Sequence, residues 1–194
     1  MTDAIIDPPA SPTLTDGRVL LRPLSSADRD ALYAAVEESK AEVGRWMDWC
    51  KADYALKDAE EWIAHSATSW ASATAERTFG IFDAASAEFL GNCGLNQFNR
   101  VHHFANLGYW MRTSRARRGF ATAATRLLAR YAFECAGLAR IEILVQVPNV
   151  ASRRVAEKAG CKLEGIARNR LAFRDQHFDA ALYSLVPGDL LAAG

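Results

Sequence analysis

The chain has 194 residues, half of them hydrophobic and 24% charged, enough to bury a proper core and pointing to one domain. Its 23 Lys and Arg balance 23 Asp and Glu, so no global field draws in nucleic acid or an anionic membrane, and anion binding must come from local placement. Residues 1–17 carry acids where a signal peptide needs cations, and no apolar run approaches the ~20 residues that span a bilayer; a soluble, cytoplasmic protein is expected.

Residues 1–16, rich in Pro, Asp and Thr, read as a loose arm, and 17–188 as a single domain. "RVLLRPL" (18–24) has strand character, and "SSADRDALYAAVEES" supplies a Ser cap, early acids and a helical run. In "KAEVGRWMDWCKADY" Trp46 and Trp49 share a face if the segment is helical. "LKDAEEWIAHSATSWASAT" opens on Asp58 and Glu61, a capping-box-like pair, and reads as a longer helix. The period then changes. "TFGIFD", "EFLGNCGLNQF" and "FANLGYWMR" are short, β-rich and separated by turn residues, which predicts an antiparallel meander. A helix to about Ala136 follows, then the strand "ARIEILVQV" (139–147). "PNVASRRVAEKAG" is a helix with Asn149 as cap and Gly160 as stop. Two final strands turn near Asp175. This mixture predicts an α+β domain on one sheet. The four cysteines (Cys50, Cys93, Cys135, Cys161) show no metal-ligand spacing and read as reduced thiols, and no metal site is expected.

"RARRGFATAA" (115–124) is the informative stretch. Arg112, Arg115, Arg117 and Arg118 crowd the start of a helix, the positive end of its dipole, and no Asp or Glu occurs between Met111 and Phe133. Three readings compete: a solvated basic face, an Arg-rich RNA-binding helix, and a phosphate site in which backbone N–H groups and arginines converge on an anion. The short basic run and neutral chain weaken the second. No GxxxxGK[ST] and no GxGxxG pattern is present. Downstream, Asn149 and Ser152 stand on the first turn of a helix leaving the strongest strand. They cap it, and a Ser hydroxyl there can also donate a proton. Arg153, Arg154 and Lys158 add positive charge nearby.

These stretches resemble the general N-acetyltransferase (GNAT) superfamily, specifically its RimJ/RimL-type branch. Residues 116–121, "ARRGFA", resemble the cofactor loop [QR]-x-x-G-x-[GA]. Residues 149–165, "NVASRRVAEKAGCKLEG", match N-x-x-S-x-x-[VL]-x-E-K-x-G-[FC]-x-x-E-G nearly throughout. "LRPL" (21–24), "GRWMDW" (44–49), "LGYWM" (107–111) and "HFDAALYSL" (177–185) resemble further family segments, so the likeness spans roughly 14–186 in the expected order.

The resemblance implies a mixed, mostly antiparallel sheet of six to seven strands with a splayed central strand pair and about four flanking helices. It implies acetyl-CoA, with the pyrophosphate on backbone N–H groups of Arg117, Arg118, Gly119, Phe120, Ala121 and Thr122. The pantetheine pairs with Tyr109, Trp110, Met111 and Arg112 as an added strand. Asn149, Ser152 and Arg154 complete the cofactor contacts. An amine attacks the thioester directly, with no covalent enzyme intermediate.

Three positions depart from the pattern: Ala116 for the loop's usual Gln or Arg, Ala156 for a proton-donating Tyr, and Asn106 for a Glu that serves as base. Ser152 is then the candidate acid. The base stays open between His102 and His103, Glu38 and Glu42 on the substrate side, and a water relay. Trp46, Trp49 and Glu38 are candidate acceptor-binding residues, the tryptophans alternatively core. The branch points to a protein N-terminal α-amino group, of ribosomal-protein type. A small-molecule amine such as an aminoglycoside or polyamine, and a non-catalytic CoA-binding module, are the alternatives. Arg168 and Arg170 are placed to hold a longer acidic acyl group. A monomer or homodimer is expected.

Overall fold

The computed structural model describes residues 12–70 and 76–191. Leu14–Thr15 (β1) pairs antiparallel with Val19–Arg22 (β2). A short 3-10 turn, Ser26–Asp28, leads into the helix Arg29–Val43 (α1). The helix Leu56–Trp70 (α2) follows; its third residue, Asp58, accepts the Ala55 N–H at 2.6 Å, the acidic half of a capping box. Arg77–Asp83 (β3), Phe89–Asn99 (β4) and Phe104–Met111 (β5) form the expected antiparallel meander. After a 3-10 turn at Thr113–Arg115 come the helix Phe120–Glu134 (α3), the strand Arg140–Gln146 (β6) and the helix Val150–Ala159 (α4). Lys162–Phe173 (β7) and Gln176–Leu185 (β8) make a hairpin, and Pro187–Leu191 (α5) ends the described chain.

The sheet has eight strands in the order β1-β2-β3-β4-β5-β6-β8-β7, one or two more than expected. One extra strand is β1, inside the segment read as a loose arm. Asp16 Oδ1 accepts the N–H groups of Arg18 and Val19 at 2.9 Å each, closing a tight turn that folds this end of the arm back onto β2. The rest of the arm, residues 1–11, lies outside the described residues. α5 is a second addition: the fold runs past 188 to Leu191, and Leu190 packs against the core.

Two cores sandwich the sheet. On one face α3 and α4 bury Leu127, Leu128, Tyr131, Ala156 and Ala159 against Phe79, Leu95, Leu107, Ile141 and Tyr183. On the other, α1 and α2 bury Leu32, Val36 and Ile63 against Phe82, Phe89 and Trp110. The alternation of β5 serves both: Leu107 faces α3, Trp110 the opposite core.

The pairing of β5 with β6 positions the site. These parallel strands are bonded only from Phe104 to Asn106 against Arg140 to Glu142. Beyond that they diverge, because β6 continues its register with β8 on its other side while β5 follows β4. This is the expected splay. α4 starts where it opens.

The segment 44–50 is a series of turns and not a helix, so Trp46 and Trp49 share no face. Gly44 caps α1, its N–H bonded to the Lys40 carbonyl, and the chain turns away there. Cys50, Cys93, Cys135 and Cys161 are free thiols.

Candidate active site

The splay leaves a cleft of about 170 Å³ between Leu107–Tyr109 of β5 and Ile143–Gln146 of β6, closed by Asn149 and Ser152 of α4, Trp46, Met47, Leu171 and Ala172. An extended chain with amide groups fits here as an added strand against the unpaired edge of β5. One wall atom asks for such a partner: Asn106 Oδ1 is buried without a hydrogen bond, while its amide nitrogen donates to Asn96 at 2.8 Å.

At the cleft's end Asn149 Oδ1 accepts the Ser152 N–H at 3.1 Å, the capping bond its position predicts. Tyr109 reaches across from β5. Its hydroxyl donates to the Ser152 carbonyl at 2.9 Å and stands 3.1 Å from Ser152 Oγ. Burial raises the Tyr109 phenol above its ordinary pKa, so it keeps its proton. Sequence reasoning had Tyr109 as a pantetheine contact only; its link to Ser152 spans 43 residues and has no local signal.

The arginine turn divides in two. Arg112 Nη2 meets Glu38 at 2.6 Å and its Nη1 meets Glu88 at 3.2 Å; Arg115 Nε meets Glu88 at 2.9 Å. Glu38 also accepts the Ser114 N–H and hydroxyl at 3.0 and 2.8 Å. The Arg112 guanidinium, aided by Ser114, holds the Glu38 carboxyl down at about 2. Acids absent from the local sequence thus arrive from α1 and from the turn before β4. Arg112 is committed to them, and Glu38, expected beside the acceptor, is spent on this strap. Glu42 instead lies near Arg45, 3.8 Å away.

Arg117 and Arg118 are exposed with no ion-pair partner among the described residues. Gly119 takes φ +83°, a left-handed conformation that turns the chain into α3, and Arg117 takes φ +62°. No side chain caps α3 and no acid lies in its first turn, so the N–H groups of its opening residues, Phe120, Ala121 and Thr122, meet at an uncapped positive helix end. A Cβ at Gly119 would stand 3.2 Å from the Arg18 guanidinium. That guanidinium donates to the Arg118 carbonyl and lies 5.4 Å over the Phe120 ring. Arg18 is a cation of this turn that no motif revealed. The cradle fits a diphosphate.

On the α1/α2 side a larger pocket of about 730 Å³ opens, lined by Trp49, Asp53, Tyr54, Asp58, Glu61, Trp62, His65, Glu76, Thr78 and Trp110 among others. Trp110, a candidate cofactor contact, belongs to this wall and to the buried core. Met111 packs against the opposite core. Trp49 packs 5.4 Å from Trp110 and 6.2 Å from Tyr54, whereas Trp46 lines the other cavity. Both cavities share Met47, Gly108 and Tyr109.

Other candidates fall elsewhere. His102 and His103 sit in the β4–β5 turn, six residues from Tyr109 along an extended strand, roughly 20 Å from it. They line neither cavity. Arg154 is exposed on α4, and Arg168 and Arg170 are exposed on β7; none of the three lines either cavity. His65 and Glu76 are ionisable groups that sequence reasoning missed. They stand 3.9 Å apart on the larger pocket, His65 stacked on Trp62.

The Bacillus subtilis protein YdaF, named as a candidate ribosomal N-acetyltransferase, is 28% identical over 87% of this chain and 91% of its own length. A Vibrio cholerae structure described as a candidate ribosomal-protein-serine acetyltransferase superposes with TM-score 0.80 at 26% identity, covering 90% of this chain and 97% of that one. RimJ of Mycobacterium smegmatis, in complex with CoA-disulfide, shares the fold at TM-score 0.80 and 24% identity, over 95% of this chain and 94% of its own. The family model for the acetyltransferase (GNAT) domain matches residues 18–162, most of the chain; together with the uncapped helix start and the splayed strand pair, this shows that the chain belongs to the GNAT family and is an acetyl-CoA-dependent N-acetyltransferase.

Proposed function

We propose that the acceptor is the N-terminal α-amino group of a protein, of ribosomal-protein type, acetylated in the cytoplasm by direct attack in a ternary complex. The observation that carries this reading is the shared wall of the two cavities. Met47, Gly108 and Tyr109 border both, so an amine held in the larger pocket lies beside an acyl group held in the cleft. That pocket is open and acid-lined, which suits an ammonium on the end of a chain that continues into solvent. The names of the relatives support the protein acceptor.

Bound acetyl-CoA supplies an activated acetyl carbonyl and a thiol leaving group. Arg117, Arg118 and the backbone of Gly119 to Thr122 would hold its diphosphate, and the edge of β5 its extended arm. In the transfer a C–N bond forms and a C–S bond breaks; one proton leaves nitrogen and one reaches sulfur. Ser152 Oγ stands at the cleft's end to deliver the latter, with Tyr109 beside it. Asn106 cannot accept a proton, but its free Oδ1 can accept an N–H from amine or cofactor arm. The nitrogen's proton passes to water of the larger pocket, where His65 replaces His103 as the candidate base. Positioning supplies much of the rate.

The test is mass spectrometry of ribosomal proteins incubated with the enzyme and isotopically labelled acetyl-CoA. Label on an N-terminal residue supports the reading. Label confined to added aminoglycosides or polyamines would overturn it in favour of a small-molecule acceptor.

A further inference from the structure

Within the larger pocket, the charges do not match the needs of the reacting amine alone. Among its lining residues Asp53, Asp58, Glu61 and Glu76 face Lys51 as the one Lys or Arg. A carboxylate beside an ammonium stabilises the charged form, and a charged amine cannot attack. Four carboxylates spent on the reacting nitrogen would therefore oppose the reaction. They make sense if they hold a positive charge that stays.

Two further observations point to a ligand. Thr78 is only 6% exposed and lines this pocket, and its hydroxyl has no hydrogen-bond partner among the described residues, so it is open to a polar group of a ligand. The walls are aromatic: Trp49, Tyr54, Trp62 and Trp110 surround the space, and cations bind such faces. At about 730 Å³ the pocket lies in the range that encloses a drug-sized molecule, more than a terminal ammonium requires.

We propose that the acceptor pocket selects N-terminal segments that carry a second, non-reacting positive charge, a Lys or Arg side chain within the first few residues. This rests on the protein-acceptor reading above and names the sequence class it prefers. Among the described residues Asp53 has no hydrogen bond or ion pair, and the Glu76 carboxylate meets only His65, at 3.9 Å; these two are the least engaged carboxylates of the pocket. Asp58 is engaged by the Ala55 N–H and Glu61 by Lys57 at 3.4 Å.

The experiment uses the full chain with matched hexapeptides that differ only at the second and third residues: basic, neutral or acidic. Thiol release gives kcat/KM. Tryptophan fluorescence of the CoA-loaded enzyme reads peptide binding without turnover, since three tryptophans line the pocket. The basic peptide is expected to exceed the neutral one about tenfold, the worth of two partly solvated ion pairs, and the advantage shrinks with salt. In the Asp53→Asn/Glu76→Gln variant, still stabilised by acetyl-CoA, the ratio falls toward one. Equal kcat/KM and equal binding for all three peptides would overturn the charge selection while leaving the N-terminal acceptor standing. No peptide response, with 1,4-diaminobutane quenching more strongly than butylamine, would reject the protein acceptor and retain the dication. No response to peptides or diamine rejects both.

Discussion

Ser152 and Tyr109 make the sharpest residue-level case. The tyrosine has one proton and two acceptors within reach, the Ser152 carbonyl at 2.9 Å and Ser152 Oγ at 3.1 Å. When Ser152 gives up its proton, the phenol can swing from carbonyl to Oγ and meet the charge left there. Ser152→Ala is expected to lower kcat about 100-fold, a usual worth of general acid catalysis, with KM for acetyl-CoA little changed. Tyr109→Phe should cost about tenfold alone and almost nothing in the Ser152→Ala background; additive losses would separate the two residues. Arg18 is the second residue-scale prediction. Its guanidinium sits on the Gly119 turn and has no acidic partner among the described residues, so Arg18→Ala should weaken CoA about fivefold by calorimetry. Dephospho-CoA should lose as much, because the contact is with the diphosphate turn. An unchanged Kd removes Arg18 from the site.

At the scale of elements, the turn before α3 is strapped to α1 and β4. Glu38 and Ser39 of α1 bond the backbone of Ser114 and Thr113, and Glu88 takes Arg112 and Arg115. Glu38 titrates at about 2 in the folded chain against an ordinary 4.5, so the unfolded chain binds more protons in that interval. The strap's stabilisation is therefore complete above pH 4.5 and lost as pH falls toward 2. Replacing Glu38 with Gln should cost about 1–2 kcal/mol at neutral pH and flatten the acid limb of urea-derived stability between pH 4.5 and 2. A parallel acid limb in the variant would contradict this.

The strap also explains what the sequence discloses. Asn149, Ser152 and Gly160 are legible because a helix signals its ends with residues a few positions apart, and the structure has Asn149 capping and Gly160 at φ +99°. The uncapped, acid-free start of α3 is legible for the same reason. Glu38 is 74 residues from Arg112 and Arg18 is 100 from Arg118; only the folded sheet brings them together. The turns at 44–50 were misread because a Trp pair three apart carries the same spacing in a helix and in consecutive turns. His103 lines neither cavity, because nearness in sequence to β5 says nothing about which end of that strand borders them.

Taken as a molecule, the enzyme builds its cleft from parts far apart in the chain. One wall is the central sheet; the other combines the 44–50 turns with the far end of the β7–β8 hairpin, through Trp46, Met47, Leu171 and Ala172. The hairpin turns at Arg174 and Asp175, at φ +47° and +58°, the left-handed pair of a two-residue type I′ turn. Arg174 fastens its tip: its N–H faces the Asp48 carboxylate at 3.2 and 3.3 Å, and Nη2 donates to the Gly44 carbonyl at 2.8 Å. Because these contacts are exposed or half-buried, they add little to global stability. Their leverage is geometric, since they set the width of the cleft without belonging to either core. Arg174→Ala is thus expected to leave Tm within about 2 °C, a shift that corresponds to under ~1 kcal/mol for a domain of this size, while raising the CoA dissociation rate severalfold in stopped-flow measurements. A fall in Tm of many degrees would make the latch part of the fold's stability, and an unchanged dissociation rate would mean the hairpin does not gate the cleft.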